Sequence, residues 1–319
     1  MAAVAVSLPW VVLAVAAVFA FVNGVNNGGA LVGVGAAGGV VPLEAVALLG
    51  AGLLVAPLLV GTRVASTLTS SLVTGPASRS AAAVVLGVLV AMVVVLALNA
   101  RGLPTSLTLA TVGGVVGSGL GGVLRVDWHD ALAATAAAAL APLLVGLVTP
   151  LALRVLSRLA GRPHGRLLAR GAFAVQALAY GANDGQRMLA VVLLGAGAGV
   201  APRYHSAAAL VAVPALFCLG ALVGARRVGL RLTRRFSPDG PLPGAASQLV
   251  SALSAFGAAA AGTPVSMTQS TAAGLIGAQA RRGWRHVRWE EVTRLVGAVV
   301  VTLPVALLAG VAAGRLVLT

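Results

Sequence analysis

Gly24-Val25-Asn26-Asn27-Gly28-Gly29 is answered later in the chain by Gly181-Ala182-Asn183-Asp184-Gly185-Gln186. These are two polar islands in an apolar sequence, and their relation decides the fold. A second pair follows in the same order. Pro104-Thr105-Ser106-Leu107-Thr108, ahead of Gly113 and Gly117, is matched by Pro264-Val265-Ser266-Met267-Thr268, ahead of Gly274 and Gly277. The copies are offset by 157 residues for the first motif and 160 for the second. Two independent matches at nearly one offset indicate an internal duplication. In a membrane protein, hydrophobic halves interrupted at corresponding positions point to a transporter with its site at the repeat interface.

Composition places the chain in a membrane. Of 319 residues, 59% are hydrophobic and 9% charged, and the mean hydropathy is +1.01. A soluble domain carries about 25% charged residues. The apolar runs 81–98, 131–153, 204–223 and 293–313 are each long enough for a hydrocarbon core of ~30 Å. They are continuous, whereas a β-barrel would show short alternating segments. Residues 4–22 lack a basic leader region and run straight into the first motif, so they read as a retained first helix. The expected fold is an all-α polytopic membrane protein of two inverted repeats. It would hold ten to twelve helical segments, some of them discontinuous or half-membrane.

The formal charge of +15 comes from 22 basic residues, all of them Arg. Five lie between Arg154 and Arg170, five between Arg226 and Arg235, and four between Arg281 and Arg288. These segments read as cytoplasmic loops facing anionic lipid headgroups. A nucleic-acid partner is not expected. Cys218 is alone in an apolar run, which excludes a disulfide framework and suits a small core residue. Gly161, Pro163 and Gly165 make the stretch between Arg154 and Arg170 the junction of the halves, giving repeats 1–160 and 161–319 within one membrane domain. The second loop, 226–244, is basic and rich in Pro, while its counterpart 62–77 has few charges. That asymmetry agrees with repeats of opposite orientation.

Gly, Asn and Asp in a row are poor helix formers, so both Asn motifs predict a helix that unwinds inside the membrane. Unwound carbonyls and Asn amides would offer oxygen ligands to a small cation. Asp184 is the only acidic residue within the apolar motifs. Asp127, Asp130, Asp239, Glu290 and Glu291 are expected in loops, and Glu44 follows Pro42 at a helix start. An intramembrane carboxylate is costly and marks function, the alternative for Asp184 being a structural salt bridge with Arg187. Arg187, three residues on, is a bidentate phosphate or sulfate ligand, the counter-ion of Asp184, or a snorkelling side chain. In the Pro motifs, Pro suits a first helical turn and Ser or Thr can cap it. A helix starting mid-membrane turns free N–H groups and a positive dipole end toward an anion, with Ser106, Thr108, Ser266 and Thr268 adding hydroxyls. The small residues that follow permit close helix packing.

At these residues the chain resembles the PiT family of inorganic phosphate transporters, whose halves each carry a Gly-Ala-Asn-Asp-type motif and a later Leu-Pro-Val-Ser-Thr-Thr-His-type motif. Residues 180–187, Tyr-Gly-Ala-Asn-Asp-Gly-Gln-Arg, are similar to the second family motif of bacterial members, with Arg187 where Lys is usual. Residues 262–269, Gly-Thr-Pro-Val-Ser-Met-Thr-Gln, resemble the later motif, with Gln269 in place of its His. In the first half Asn27 stands where the family has Asp, Ala30 where it has Asn, and Leu109 where it has His. The resemblance implies cation-coupled phosphate uptake across a bacterial plasma membrane. It implies phosphate ligands among Ser106, Thr108, Ser266, Thr268, Arg187, Asn26 and Asn183. Cation ligands would be Asp184, Asn183, Asn26 and Asn27, with Asp184 and Asn27 holding Na+ in a sodium-coupled carrier.

No cofactor is expected beyond the coupling ion, Na+ or H+, and the loss of one carboxylate at Asn27 bears on which it is. The alternatives are a sulfate permease of the same family, an anion channel, or a degenerate homologue that does not transport. No His/Glu metal motif or nucleophile–base pair occurs in the apolar segments, so an enzyme is not expected. The oligomeric state, a homodimer among the options, is open.

Overall fold

The computed structural model describes residues 9–101, 105–159, 165–195, 207–229, 240–281 and 283–319. Among these, eleven helices follow one another, with a short 3-10 turn at Trp284–His286 ahead of the last. Helix α1 (residues 9–37) joins Pro9–Asn23, a π turn at Gly24–Gly28 and Gly29–Ala37; α2 is Pro42–Val60. Helix α3 (residues 63–71) joins Arg63–Ser66 to a π turn at Thr67–Ser71; α4 is Ala77–Ala100, α5 Leu107–Gly121 and α6 Trp128–Leu159. Helix α7 (residues 165–195) joins Gly165–Tyr180, a π turn at Gly181–Gly185 and Gln186–Gly195. Helix α8 (residues 207–229) joins Ala207–Gly224 to a π turn at Ala225–Gly229; α9 is Pro241–Ala260, α10 Met267–Ala280 and α11 Trp289–Val317. One antiparallel clip pairs Val73 with Val126 and Thr74 with Arg125.

Five of these stretches are long and apolar enough to cross a membrane, Trp10–Ala37, Pro42–Val60, Ala77–Ala100, Trp128–Leu159 and Trp289–Val317. The protein is an all-α, multi-pass membrane protein. Helices α5 and α10, of 15 and 14 residues, are ~22 Å long at most and fall short of a ~30 Å core. Both begin at a Pro motif, although Pro104 itself lies outside the described residues. Glycine ends helices where a left-handed residue is needed. Gly39 (φ +90°) lets Val40 N–H bond Gly35 O at 3.0 Å after α1, and Gly262 (φ +74°) turns the chain out of α9 toward Pro264.

The Asn motifs do not unwind. Asn23 and Gly29 flank the first with φ/ψ of −58°/−43° and −59°/−39°, and Gly29 N–H bonds Gly24 O. Tyr180 and Gln186 flank the second with −61°/−47° and −62°/−34°. The helix widens by one residue instead of breaking, which keeps its backbone bonded where no water can replace a lost bond. Asp130, Glu290 and Glu291 are not in loops. They occupy the first turns of α6 and α11, where negative charge suits the helix dipole. The basic segments are also more helical than expected: α6 runs on to Leu159, α7 begins at Gly165 and the π turn of α8 includes Arg226. Asp239 and residues 160–164 and 230–239 lie outside the described residues.

Helices α5 and α11 pack over the largest interface among the described elements, and α10 packs on α6. Glycines make both approaches. A Cβ on Gly113 would lie 2.9 Å from Leu303 O, one on Gly117 would strike Leu307 O, and one on Gly277 would strike Gly146 O. The π turns repeat the arrangement. Gly24 meets the backbone of Phe217 on α8, and Gly181 meets that of Gly52 on α2. Each half therefore lends helices to the other. At one end of the bundle Glu44, beside the end of α1, pairs with Arg170 near the start of α7 (3.8 Å).

Candidate functional site

Five residues close a ring of polar contacts where α7 meets the starts of α5 and α10. Arg187 lies three residues after Asp184, one helical turn on, and the two form an ion pair through Oδ1 and Nη2. Their side chains are 0% and 3% exposed. Arg187 Nη1 donates to Thr108 Oγ1 at 2.9 Å, and Thr108 Oγ1 donates to Val265 O at 3.4 Å. Val265 N–H in turn donates to Asn183 Oδ1 at 3.0 Å, and Asn183 Nδ2 donates to Thr263 O at 3.0 Å. The second Asn motif thus touches both Pro motifs, one from each half of the chain.

The ring leaves polar atoms free. Asp184 Oδ2 and Arg187 Nε are buried without a hydrogen-bond partner. Such orphans cost about 1–3 kcal/mol each, more when charged, and fit a site made to receive another group. Among the described residues the buried charged side chains are Asp184, Arg187 and Glu291, and Glu291 stands at the end of α11. The interior charge is therefore one carboxylate and one guanidinium.

The Ser and Thr residues divide by role. Ser106 caps α5, its hydroxyl accepting from Leu109 N–H at 3.4 Å, and its own N–H donates to Thr302 Oγ1 at 3.3 Å. Ser266 takes the same position before α10 but makes no capping bond. Its hydroxyl lies 3.5 Å from Thr268 Oγ1. Ser266 and Thr268 are thus the less committed hydroxyls.

The first Asn motif forms its own chain. Asn26 Nδ2 donates to Asn27 Oδ1 (3.2 Å), Asn27 Nδ2 to Asn23 Oδ1 (3.1 Å), and Tyr180 OH to the same oxygen (3.5 Å). Tyr180 is fully buried and directly precedes the second Asn motif, so its bond to Asn23 joins the two motifs. Among the described residues no hydrogen bond carries Asn26 or Asn27 to a Pro motif.

Asn23 and Gln176 escaped the reading of motifs, and Gln186 and Gln269 lay within them without an assigned role. Asn23 sits one turn before Asn27, and a helical wheel extended by one turn finds it. Gln176 Nε2 donates to Thr271 Oγ1 at 2.7 Å across α7 and α10. Gln269 is 6% exposed and both amide atoms lack partners. Gln186 Oε1 accepts from Val64 N–H (2.9 Å) and Ala65 N–H (3.3 Å), tying α7 to the start of α3. A buried glutamine in an apolar helix was the available signal for all three.

The phosphate transporter family matches residues 164–310. A probable low-affinity inorganic phosphate transporter of Rhizobium meliloti (strain 1021) is 28% identical over 219 residues, covering 65% of this chain and 66% of that relative. Proteins of the same description from Mycobacterium bovis and Mycobacterium tuberculosis are 30% identical over 321 residues, covering 94% of this chain and 75% of theirs. A solved structure described as the sodium-dependent phosphate transporter has a TM-score of 0.77 at 16% identity, covering 97% of this chain and 98% of that one, a likeness of fold. With its duplicated motifs, buried polar ring and helical membrane fold, the chain belongs to the phosphate transporter family.

Proposed function

We propose that this protein carries inorganic phosphate across the membrane, coupled to a cation, by alternating access between two inverted repeats, 1–160 and 161–319. The observation that carries the reading is the buried ring in which the Asp184–Arg187 pair meets the first Pro motif at Thr108 and Asn183 meets the second at Val265. Arg187, Thr108, Ser266 and Thr268 are the phosphate donors, since a guanidinium and hydroxyls match an oxyanion. Asp184 receives the cation. Asn26 and Asn27 offer neutral amide oxygens to the cation from the first Asn motif, which the Tyr180–Asn23 bond links to the second. Asn183 holds the Pro264 segment in place, and Ser106 holds the start of α5.

Three features support inversion. The order of elements recurs, with a π turn in α1 and α7 and a short Pro-led helix in α5 and α10. The cross-packing is reciprocal. Glu44 meets Arg170, so the end of α1 lies beside the beginning of its counterpart α7. Rocking one half against the other would open the ring to either side.

Uptake of radiolabelled phosphate into proteoliposomes, with imposed sodium or proton gradients, tests this. Saturable uptake that collapses with one gradient is expected. Uptake blocked by sulfate and fully replaced by sulfate transport would shift the substrate, and conductance far above carrier turnover would mark a channel.

A further inference from the structure

Arg187 has one guanidinium and two claims upon it. It pairs with Asp184, and it is also the strongest oxyanion donor at the same place. Asp184 has the mirror-image problem, because a cation and Arg187 both want its carboxylate. We infer that Arg187 exchanges partners during transport: it neutralises Asp184 in the empty carrier and turns to the anion when phosphate binds, releasing Asp184 to a cation. This rests on the reading of the ring as the phosphate site.

The geometry supports exchange over a permanent brace. A brace would saturate both groups, yet Asp184 Oδ2 and Arg187 Nε remain free in a buried setting. Arg187 is tethered to the phosphate side already, since its other terminal nitrogen bonds Thr108 at the N-terminus of α5. Its oxygen partners, a carboxylate and a hydroxyl, are the donors a small hard cation also takes. Arg187 in the empty carrier therefore stands as a tethered cation. Among the described residues no second intramembrane carboxylate offers the coupling ion another seat, because Asn27 is neutral.

Exchange couples the binding of the two ions. A cation that must displace Arg187 binds Asp184 weakly, and phosphate removes that competitor. By linkage the cation raises phosphate affinity by the same factor. The empty carrier, holding one positive and one negative group, is neutral and can reorient without a coupling ion.

Cation binding without phosphate tests the inference, measured on purified protein in nanodiscs as sodium-22 retention and as proton uptake in weak buffer. Wild type should bind weakly, and saturating phosphate should raise its cation affinity on the order of 5–150-fold, the usual span of coupled sites. Arg187→Gln should bind the cation tightly with no phosphate present, and Asp184→Asn/Arg187→Gln should lose that gain. Because Arg187→Gln leaves a buried carboxylate unpaired, its melting temperature is measured as well, and the cation should raise it more than it raises wild type's. Wild type that binds phosphate yet shows equal cation affinity with and without it overturns the exchange alone. Wild type that binds no phosphate overturns both the exchange and the transport reading. A folded Arg187→Gln with no gain in cation binding overturns the exchange.

Discussion

Replacing Asp184 by Asn should destabilise the protein, and replacing both partners should restore much of what is lost. Asp184 and Arg187 are buried to 0% and 3% side-chain exposure, and Asn in place of Asp leaves the guanidinium in the membrane interior without its counter-charge. Breaking a buried pair from one side costs about 3–5 kcal/mol, whereas removing both charges is often neutral. Thr108 Oγ1 stays as the remaining polar partner of Arg187 among the described residues. The expected order of thermal stability in detergent is therefore wild type and Asp184→Asn/Arg187→Gln close together, with Asp184→Asn well below both. Phosphate uptake should be absent from the single and the double variant alike. The assay is size-exclusion recovery after heating, across all four corners of the double-mutant cycle, with uptake measured on the folded fractions. If Asp184→Asn melts with wild type, the pair does not carry the charge compensation assigned to it. If the double variant transports normally, neither residue belongs to the mechanism.

Ser266→Ala or Thr268→Ala should raise the apparent Km for phosphate several-fold, because one neutral hydrogen bond is worth ~0.5–1.5 kcal/mol. Ser106→Ala should instead lower stability by about 1 kcal/mol, the usual worth of a helix cap, and leave Km close to wild type. Asn27→Asp places a carboxylate against Asn23 and Tyr180, and should steepen the cation dependence of uptake, read as a higher Hill coefficient. Gly277→Val forces a side chain into the Gly146 backbone, so α10 cannot sit on α6 and little folded protein should be recovered from membranes.

The recurrence of the motifs was legible because Gly-Asn-rich and Pro-Ser-Thr stretches stand out in an apolar chain and return at nearly one spacing. The small residues after each Pro motif pointed to close packing, and Gly113, Gly117 and Gly277 provide it. The expectation of unwinding failed for a physical reason. Gly24–Gly28 and Gly181–Gly185 are weak helix formers, but within a membrane a widened turn keeps backbone bonds that an open one would forfeit. The Asp184–Arg187 spacing allowed the pair, and burial decided for it. What could not be read was the long-range part. Tyr180 meeting Asn23, and Asn183 holding the Pro264 segment, join residues that only the crossed packing of the halves brings together.

Counterflow distinguishes a carrier that alternates access to phosphate at the Asp184–Arg187 ring from a pore or an inert homologue. Proteoliposomes are loaded with unlabelled phosphate, equilibrated with the coupling cation on both sides, and diluted into tracer phosphate. A transient accumulation of tracer above its equilibrium level is expected, abolished by Asp184→Asn/Arg187→Gln. Tracer that rises only to equilibrium, with no overshoot, or an overshoot unchanged in the double variant, would contradict it.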